Sequence, residues 1–281
     1  MSILIATLAL GGLGAAFAVL LAAFFRRFAV TVDPKTERIL AALPGSNCGA
    51  CGFAGCQGLT DALLAGKAEA TGCIAGGEAV AKALGEIMGV AVETGPRQVA
   101  YVACQGGTSR CGTRFRYVGV EDCQAAALQF GGNKACTFGC LGMGSCVKVC
   151  PFDAIHLNDE GIAVVDREKC KACKKCIAAC PKKIISLVPA AQEVLVACSN
   201  LDRARKAKEV CTTACTACKI CEKNCPEQAI VVKNNLAVID YARCRQHAIC
   251  VAKCPQKSII DLAAETRAGA RAVEREPVAA G

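Results

Sequence analysis

The sequence has no tryptophan, only 3 tyrosines and 2 histidines, and 4% aromatic residues in 281. Single-stranded nucleic acid is held by stacking bases on aromatic side chains along a basic groove. No basic–aromatic alternation occurs here, so nucleic acid is excluded as a partner despite the net charge of +9. His156 and His247 are the only imidazoles, which leaves little for a histidine-based acid–base site. There is no Gly-x-Gly-x-x-Gly after a strand and no Walker loop, so nucleotide binding lacks its phosphate cradle. No bond-making active site, catalytic residue or organic cofactor site is expected on the chain.

Charge is missing from the beginning of the chain. Ile3 to Phe25 is an uncharged run long enough to cross a hydrocarbon core as a helix. No Lys or Arg precedes it, whereas Arg26 and Arg27 follow at once. A secretory signal carries its charge before the apolar run, so a retained single-pass anchor is expected. The positive-inside rule then places everything after Arg27 in the cytoplasm. Basic residues flanking the anchor suit anionic membrane lipid, and a basic face suits an acidic docking protein. Gly11/Ala15 and Gly14/Ala18 give small-xxx-small spacing, which allows close approach of another membrane helix.

What the chain has in excess is cysteine, 24 in all. Disulfide scaffolds are usually short and secreted; this chain is long enough for several cores, and its cysteines fall in tight runs. Thiolate ligation of metal in a reducing compartment is the better reading.

Cys170-x2-Cys173-x2-Cys176-x3-Cys180-Pro181 is the bacterial ferredoxin run, in which three thiolates wrap one [4Fe–4S] cluster and the fourth serves a second. Cys215-x2-Cys218-x2-Cys221-x3-Cys225-Pro226 repeats it. Segments 165–185 and 239–259 match at an offset of 74, and segments 135–155 and 210–230 at an offset of 75. The unit is therefore duplicated, with about 19 extra residues in the first copy, carrying Cys111 and Cys123. Short alternating stretches at 162–166 and 236–240 read as strands.

Crossing the fourth cysteines gives explicit sets. In the second copy, one cluster takes Cys215, Cys218, Cys221 and Cys254; the other takes Cys225, Cys244, Cys250 and position 247. His247 stands where the first copy has Cys173, and imidazole ligation, an open iron and loss of the cluster all stay open. In the first copy, Cys150, Cys170, Cys173 and Cys176 form a complete set. Its partner has Met143 at the place of Cys218, leaving Cys140, Cys146 and Cys180, with Cys136 the nearest fourth ligand. Against that, Cys211 persists at the equivalent place although its own run is complete. Cys104, Cys111, Cys123, Cys198 and Cys211 remain unplaced; a further cluster on Cys104, Cys111, Cys123 and Cys136 competes with buried thiols.

Upstream, Cys48-x2-Cys51-x4-Cys56-x16-Cys73 puts three thiols on a Gly-rich loop and a fourth beyond a helix. Gly49, Gly52 and Gly55 permit the tight loop, and zinc is the competing occupant. A capped helix is expected over Pro34–Leu43 with Asp33 as its cap, and residues 77–92 read as a helix running into a short strand.

The segment FAVTVDPKTERILAALPGSNCGACGFAGC, followed by Cys73 and by GCLGMGSCVKVCPFDAI, resembles the B subunits of Rnf ion-translocating electron-transport complexes over residues 1–262. The duplicated tail is similar to the longer form in anaerobes. The resemblance implies an electron-transfer subunit of a ferredoxin:NAD oxidoreductase. It would accept electrons from soluble ferredoxin and pass them to membrane subunits coupled to Na+ or H+ transport. Its implied partners are RnfA, RnfC, RnfD, RnfE and RnfG. It assigns Cys48, Cys51, Cys56 and Cys73 to a first cluster, Cys136, Cys140, Cys146 and Cys180 to a second, and Cys150, Cys170, Cys173 and Cys176 to a third. The alternatives are a membrane-tethered polyferredoxin serving another enzyme, such as a hydrogenase, and a structural metal scaffold. The expected fold is α+β: a single transmembrane helix (1–27), a small α-helical four-cysteine [4Fe–4S] domain (28–93), a first ferredoxin-like unit with a Cys-rich insertion (94–190), a second unit (191–262) and a flexible tail (263–281). At least three clusters are expected, five by the ligand sets, six at the upper count.

Overall fold

The computed structural model describes residues 2–28, 33–92 and 95–264. The expected flexible tail falls mostly outside them.

The apolar N-terminus forms α1 (Ser2–Phe28). Its 27 residues extend about 40 Å at helical rise, more than a hydrocarbon core requires. The stretch Leu10–Phe28 has a mean hydropathy of 1.5 and no buried residue, so none of the other described residues covers its apolar surface. Arg26 and Arg27 lie in the last turn, where cations complement the helix dipole.

The next unit is helical. In α2 (Pro34–Ala42), Asp33 caps the first turn by accepting from Lys35 N at 2.8 Å. It packs with α3 (Gly55–Leu64) and α4 (Gly77–Met88) around Ile39, Leu59, Leu63 and Leu84. The strand expected after α4 does not form in residues 89–92. Gly89 adopts a left-handed conformation, and Val90 N turns back to Gly85 O, which ends the helix in a cap.

The remainder is built from four two-stranded antiparallel sheets, nested in pairs. Outer pair β1 (Gln98–Val102) with β4 (Ile185–Pro189) encloses hairpin β2 (Ile155–Leu157) with β3 (Ala163–Val165). After β5 (Val194–Val196) the pattern recurs: hairpin β6 (Ile230–Lys233) with β7 (Leu236–Ile239) lies inside the pair of β5 with β8 (Ile259–Asp261). Ile155 and Ile230 start equivalent strands, as do Ile185 and Ile259, so the sequence repeat is a structural one. The first core gathers Val99, Ile155, Ile185, Val188 and Leu195; the second gathers Val194, Ile230, Ile239 and Ile259. Neither sheet pair is large, and cysteines occupy both cores.

The connections carry short helices: α6 (Ser145–Lys148), α7 (Lys175–Ala179), α9 (Ile220–Lys223) and α10 (Ile249–Lys253). The insertion adds α5 (Cys123–Leu128), and α8 (Ala204–Val210) follows β5.

Candidate metal centres

Four loops share one unusual backbone. Left-handed residues alternate around a central position: Ala172 and Lys174 flank Cys173, Ala217 and Lys219 flank Cys218, and Gln246 and Ala248 flank His247. Gly142 and Gly144 flank Met143 in the same way. A left-handed non-glycine residue costs roughly 1–2 kcal/mol, and such strain persists where function demands it. Alternating left- and right-handed residues turn successive N–H groups into a concave anion-binding nest of the kind found at Fe–S sites. The nest forms whether the central residue is Cys, His or Met.

A second device repeats after each Cys-Pro. Asp153, Lys183, Gln228 and Lys257 are all left-handed, with φ of 48, 53, 49 and 50°. This turns the next amide onto the thiol: Ala154 N donates to Cys150 Sγ at 3.4 Å and Ala229 N to Cys225 Sγ at 3.3 Å. Ala100 N, from β1, likewise donates to Cys170 Sγ at 3.3 Å. Amide donors stabilise thiolate charge and tune a bound cluster.

In the helical unit, Cys48, Cys51 and Cys56 curl around Gly49, Gly52 and Gly55, all at positive φ. Asn47 Oδ1 clamps the loop by accepting from Cys56 N at 2.8 Å. A Cβ on Gly55 would stand 2.7 Å from that oxygen, so the position accepts only glycine. Burial pushes the Cys73 thiol up, and nearby Cys51, Cys56 and Cys48 push it further, so the four thiols are neighbours. Lys175 Nζ donates to Cys48 O at 3.2 Å, joining this loop to α7 between Cys173 and Cys176.

Cys176 is pushed up to about 11 by burial first, with Cys173, Cys170 and Cys150 as further thiol neighbours. Those four cysteines therefore converge. Cys215, Cys218, Cys221 and Cys254 line a cavity with about 320 Å³ of free space, and burial followed by its thiol neighbours pushes Cys221 up to about 12. Another cavity of about 320 Å³ is lined by Cys225, Cys244, His247 and Cys250. His247 thus stands with the three thiols that sequence reasoning grouped it with.

The remaining set differs from expectation. Cys140, Cys146 and Cys180 line a cavity of about 340 Å³ together with Cys123, not Cys136. Burial, then Cys140, Cys123 and Cys180 among its neighbours, pushes Cys146 up to about 12. Cys123 opens α5, capped by Asp122, whose carboxylate accepts from Gln124 N and Ala125 N. Buried Ser145 fixes the approach: Cys123 N donates to Ser145 Oγ at 2.6 Å, and that hydroxyl donates to Asp122 at 2.7 Å. The Ser145 hydroxyl first, then the amides, hold the Asp122 carboxyl below the usual carboxylate range. The insertion thus brings a fourth thiol to this cavity. Both anomalies lie in the same copy, and that coincidence was the available signal.

Cys136 faces elsewhere. Cys104, Cys111, Cys136, Cys198 and Cys211 line one further cavity, where the two sheet pairs meet.

The donor chemistry fits iron–sulfur clusters. Among the described residues, no group of three or more His, Cys, Asp or Glu is arranged to hold a single metal ion. Zinc draws four donors onto one centre. A cubane binds each thiolate at a separate corner iron, so its ligands stand further apart. Buried thiols pushed up in pKa stay protonated when alone; a metal deprotonates the thiol that binds it.

Two family models match the chain: one described as an Fe-S cluster over residues 43–75, and the 4Fe-4S dicluster domain over residues 135–184. The chain is 45% identical to the B subunit of the Na(+)-translocating ferredoxin:NAD(+) oxidoreductase complex of Acetobacterium woodii, over 89% of this chain and 75% of the relative. It is 40% identical to the B subunit of the ion-translocating oxidoreductase complex of Methanosarcina acetivorans, over 92% and 98% respectively. It is 35% identical to the B subunit of the proton-translocating ferredoxin:NAD(+) oxidoreductase complex of Clostridium ljungdahlii, over 88% of each.

Proposed function

The chain belongs to the family of B subunits of ion-translocating oxidoreductase complexes, and on that premise we propose how it carries electrons. It is an iron–sulfur electron-transfer subunit of a membrane-bound ferredoxin:NAD oxidoreductase of the Rnf type. It accepts electrons from reduced ferredoxin and passes them to membrane subunits that couple the flow to Na+ or H+ transport. Five segments divide the work: anchor (1–27), four-cysteine domain (28–93), two ferredoxin-like units (94–190 and 191–262) and tail (263–281). Arg26 and Arg27 set the orientation, with the soluble part on the cytoplasmic side.

Five ligand sets hold [4Fe–4S] clusters: Cys48, Cys51, Cys56 and Cys73; Cys123, Cys140, Cys146 and Cys180; Cys150, Cys170, Cys173 and Cys176; Cys215, Cys218, Cys221 and Cys254; and Cys225, Cys244, Cys250 with His247. When bound, each cluster supplies reversible one-electron storage. The chain's own residues do the rest. The nests and the post-Pro turns aim N–H groups at sulfur, the cores exclude water, and Lys175 ties the Cys48 loop to the loop bearing Cys173. That tie makes the four-cysteine domain the neighbour of the Cys150/Cys170/Cys173/Cys176 set.

The observation that carries this reading is the backbone nest, built four times around cysteine-lined space, three of them at a cost in strain from non-glycine residues. Purification from native membranes tests it. Recovery with the other components of the complex and ferredoxin-dependent NAD reduction is expected. Recovery with a hydrogenase alone would refute it.

A further inference from the structure

From the fourth of these cavities we infer a sixth [4Fe–4S] site, held by Cys104, Cys111, Cys136 and Cys211 at the junction of the two ferredoxin-like units. The inference rests on the cluster reading above. The junction cavity has about 330 Å³ of free space, its opening to solvent included, against 320, 340 and 320 Å³ on the same measure for the three cavities lined by proposed ligand sets. Its size matches theirs, and it is lined by five thiols where they have four, four, and three with His247.

The four thiols converge. A Cβ built on Gly106 would meet Cys211 Sγ at 3.3 Å, Cys111 Cβ at 3.4 Å and Cys104 Sγ at 3.7 Å. A Cβ on Gly139 would meet Cys104 Sγ and Cys136 Cβ, each at 3.7 Å. Both positions are glycine, which keeps the cavity open. Cys111 and Cys211 face each other across an isolated β-bridge. Amide donors aim inward as at the other sets: Cys140 N donates to Cys104 Sγ at 3.4 Å, and buried Asn200 Nδ2 donates to Cys136 Sγ at 3.4 Å.

The loop that brings Cys111 is fixed from both units. Glu160, beside β3, accepts from Ser109 N at 2.9 Å and Ser109 Oγ at 2.8 Å, and Thr212 N donates to Arg110 O at 3.0 Å.

An independent observation is Lys134. It is buried at 7% exposure, and its ammonium donates only to Gly106 O at 2.9 Å. None of the ion pairs among the described residues includes it. A buried cation without a counter-charge is costly. A thiolate-ligated cubane is a net anion, and at this place it supplies that charge.

Cys198 lines the cavity as well, but it is the one thiol there that neither the Gly106 nor the Gly139 Cβ would meet. Its Sγ accepts from Asn200 N at 3.4 Å and from Cys215 N at 3.3 Å. It is left as a buried thiol. The site takes one electron from a cluster of one unit and returns one to a cluster of the other, with no net change.

Iron, acid-labile sulfide and zinc, measured on anaerobically purified full-length protein, test the site. Wild type should hold about 24 irons per chain, four in each cluster. Cys111→Ser and Cys211→Ser should each lose about four, their double variant no more than either, and Cys198→Ser none. Lys134→Met should move one cluster signal to more negative potential and leave the others in place, a readout that survives if the Cys variants unfold. About 20 irons insensitive to these changes would overturn this site alone. Zinc lost in place of iron would do the same. A wild type almost free of iron would overturn the cluster reading itself.

Discussion

At the scale of single residues, the second cluster set turns on Cys123. Its thiol and Cys136 are both cysteines of the first copy, yet they face different cavities. Cys123→Ser should lose about four irons, and Cys123→Ser with Cys140→Ser should lose no more, since both serve one cluster. Cys123→Ser with Cys136→Ser should lose about eight, because two clusters are broken. Iron analysis of the three variants decides it; equal losses in all three would return Cys136 to the set. Ser145→Ala removes the hydroxyl that links Cys123 N to Asp122 and should cost about 1–3 kcal/mol by thermal unfolding. His247 occupies a nest built like those of Cys173 and Cys218. Imidazole in place of thiolate raises potential, so His247→Cys should keep the iron and lower the midpoint of one cluster signal. An unmoved midpoint in a redox titration would mean that His247 is not a ligand.

At the scale of elements, the left-handed residues are the device that, on the proposed ligand sets, turns short loops into cluster cradles. Ala217 sits at φ 53°. Ala217→Val adds a β-branched side chain where it is a conformational outlier, and should strip iron from the Cys215/Cys218/Cys221/Cys254 set. Ala217→Gly, free of that penalty, should retain it. Both are read by iron content and the cluster signal. This device was only partly legible in the sequence. Cysteine spacing announced the loops, and Asp33 and Pro34 announced α2. Gly142 and Gly144 are of the type that favours positive φ, but nothing in the types of Lys174, Lys219 or Gln246 marks a left-handed conformation. The strand expected near residue 90 failed because Gly89 closes α4 by a cap.

At the scale of the whole molecule, the repeat was legible because duplicated sequence carries duplicated register, with β4 and β8 standing 74 residues apart. The grouping of the unplaced cysteines was not. Cys111 meets Cys211 across a hundred residues of chain, and Cys123 reaches Cys180 only once β1 has paired with β4. Local spacing does not encode such long-range approach. The same assembly places the four-cysteine domain beside the first ferredoxin-like unit through Lys175 and Cys48. Lys175→Met should slow electron transfer from ferredoxin in stopped-flow measurements while leaving iron content intact.

The central claim is a chain that strings many clusters between a soluble donor and a membrane. Iron and acid-labile sulfide per full-length chain, with low-temperature EPR after dithionite reduction, test it most directly. The five ligand sets predict about 20 of each, about 24 with the junction site, and several interacting cluster signals. A metal-replete chain carrying zinc, or holding no more than about 12 irons so that the second unit stands empty, would contradict it.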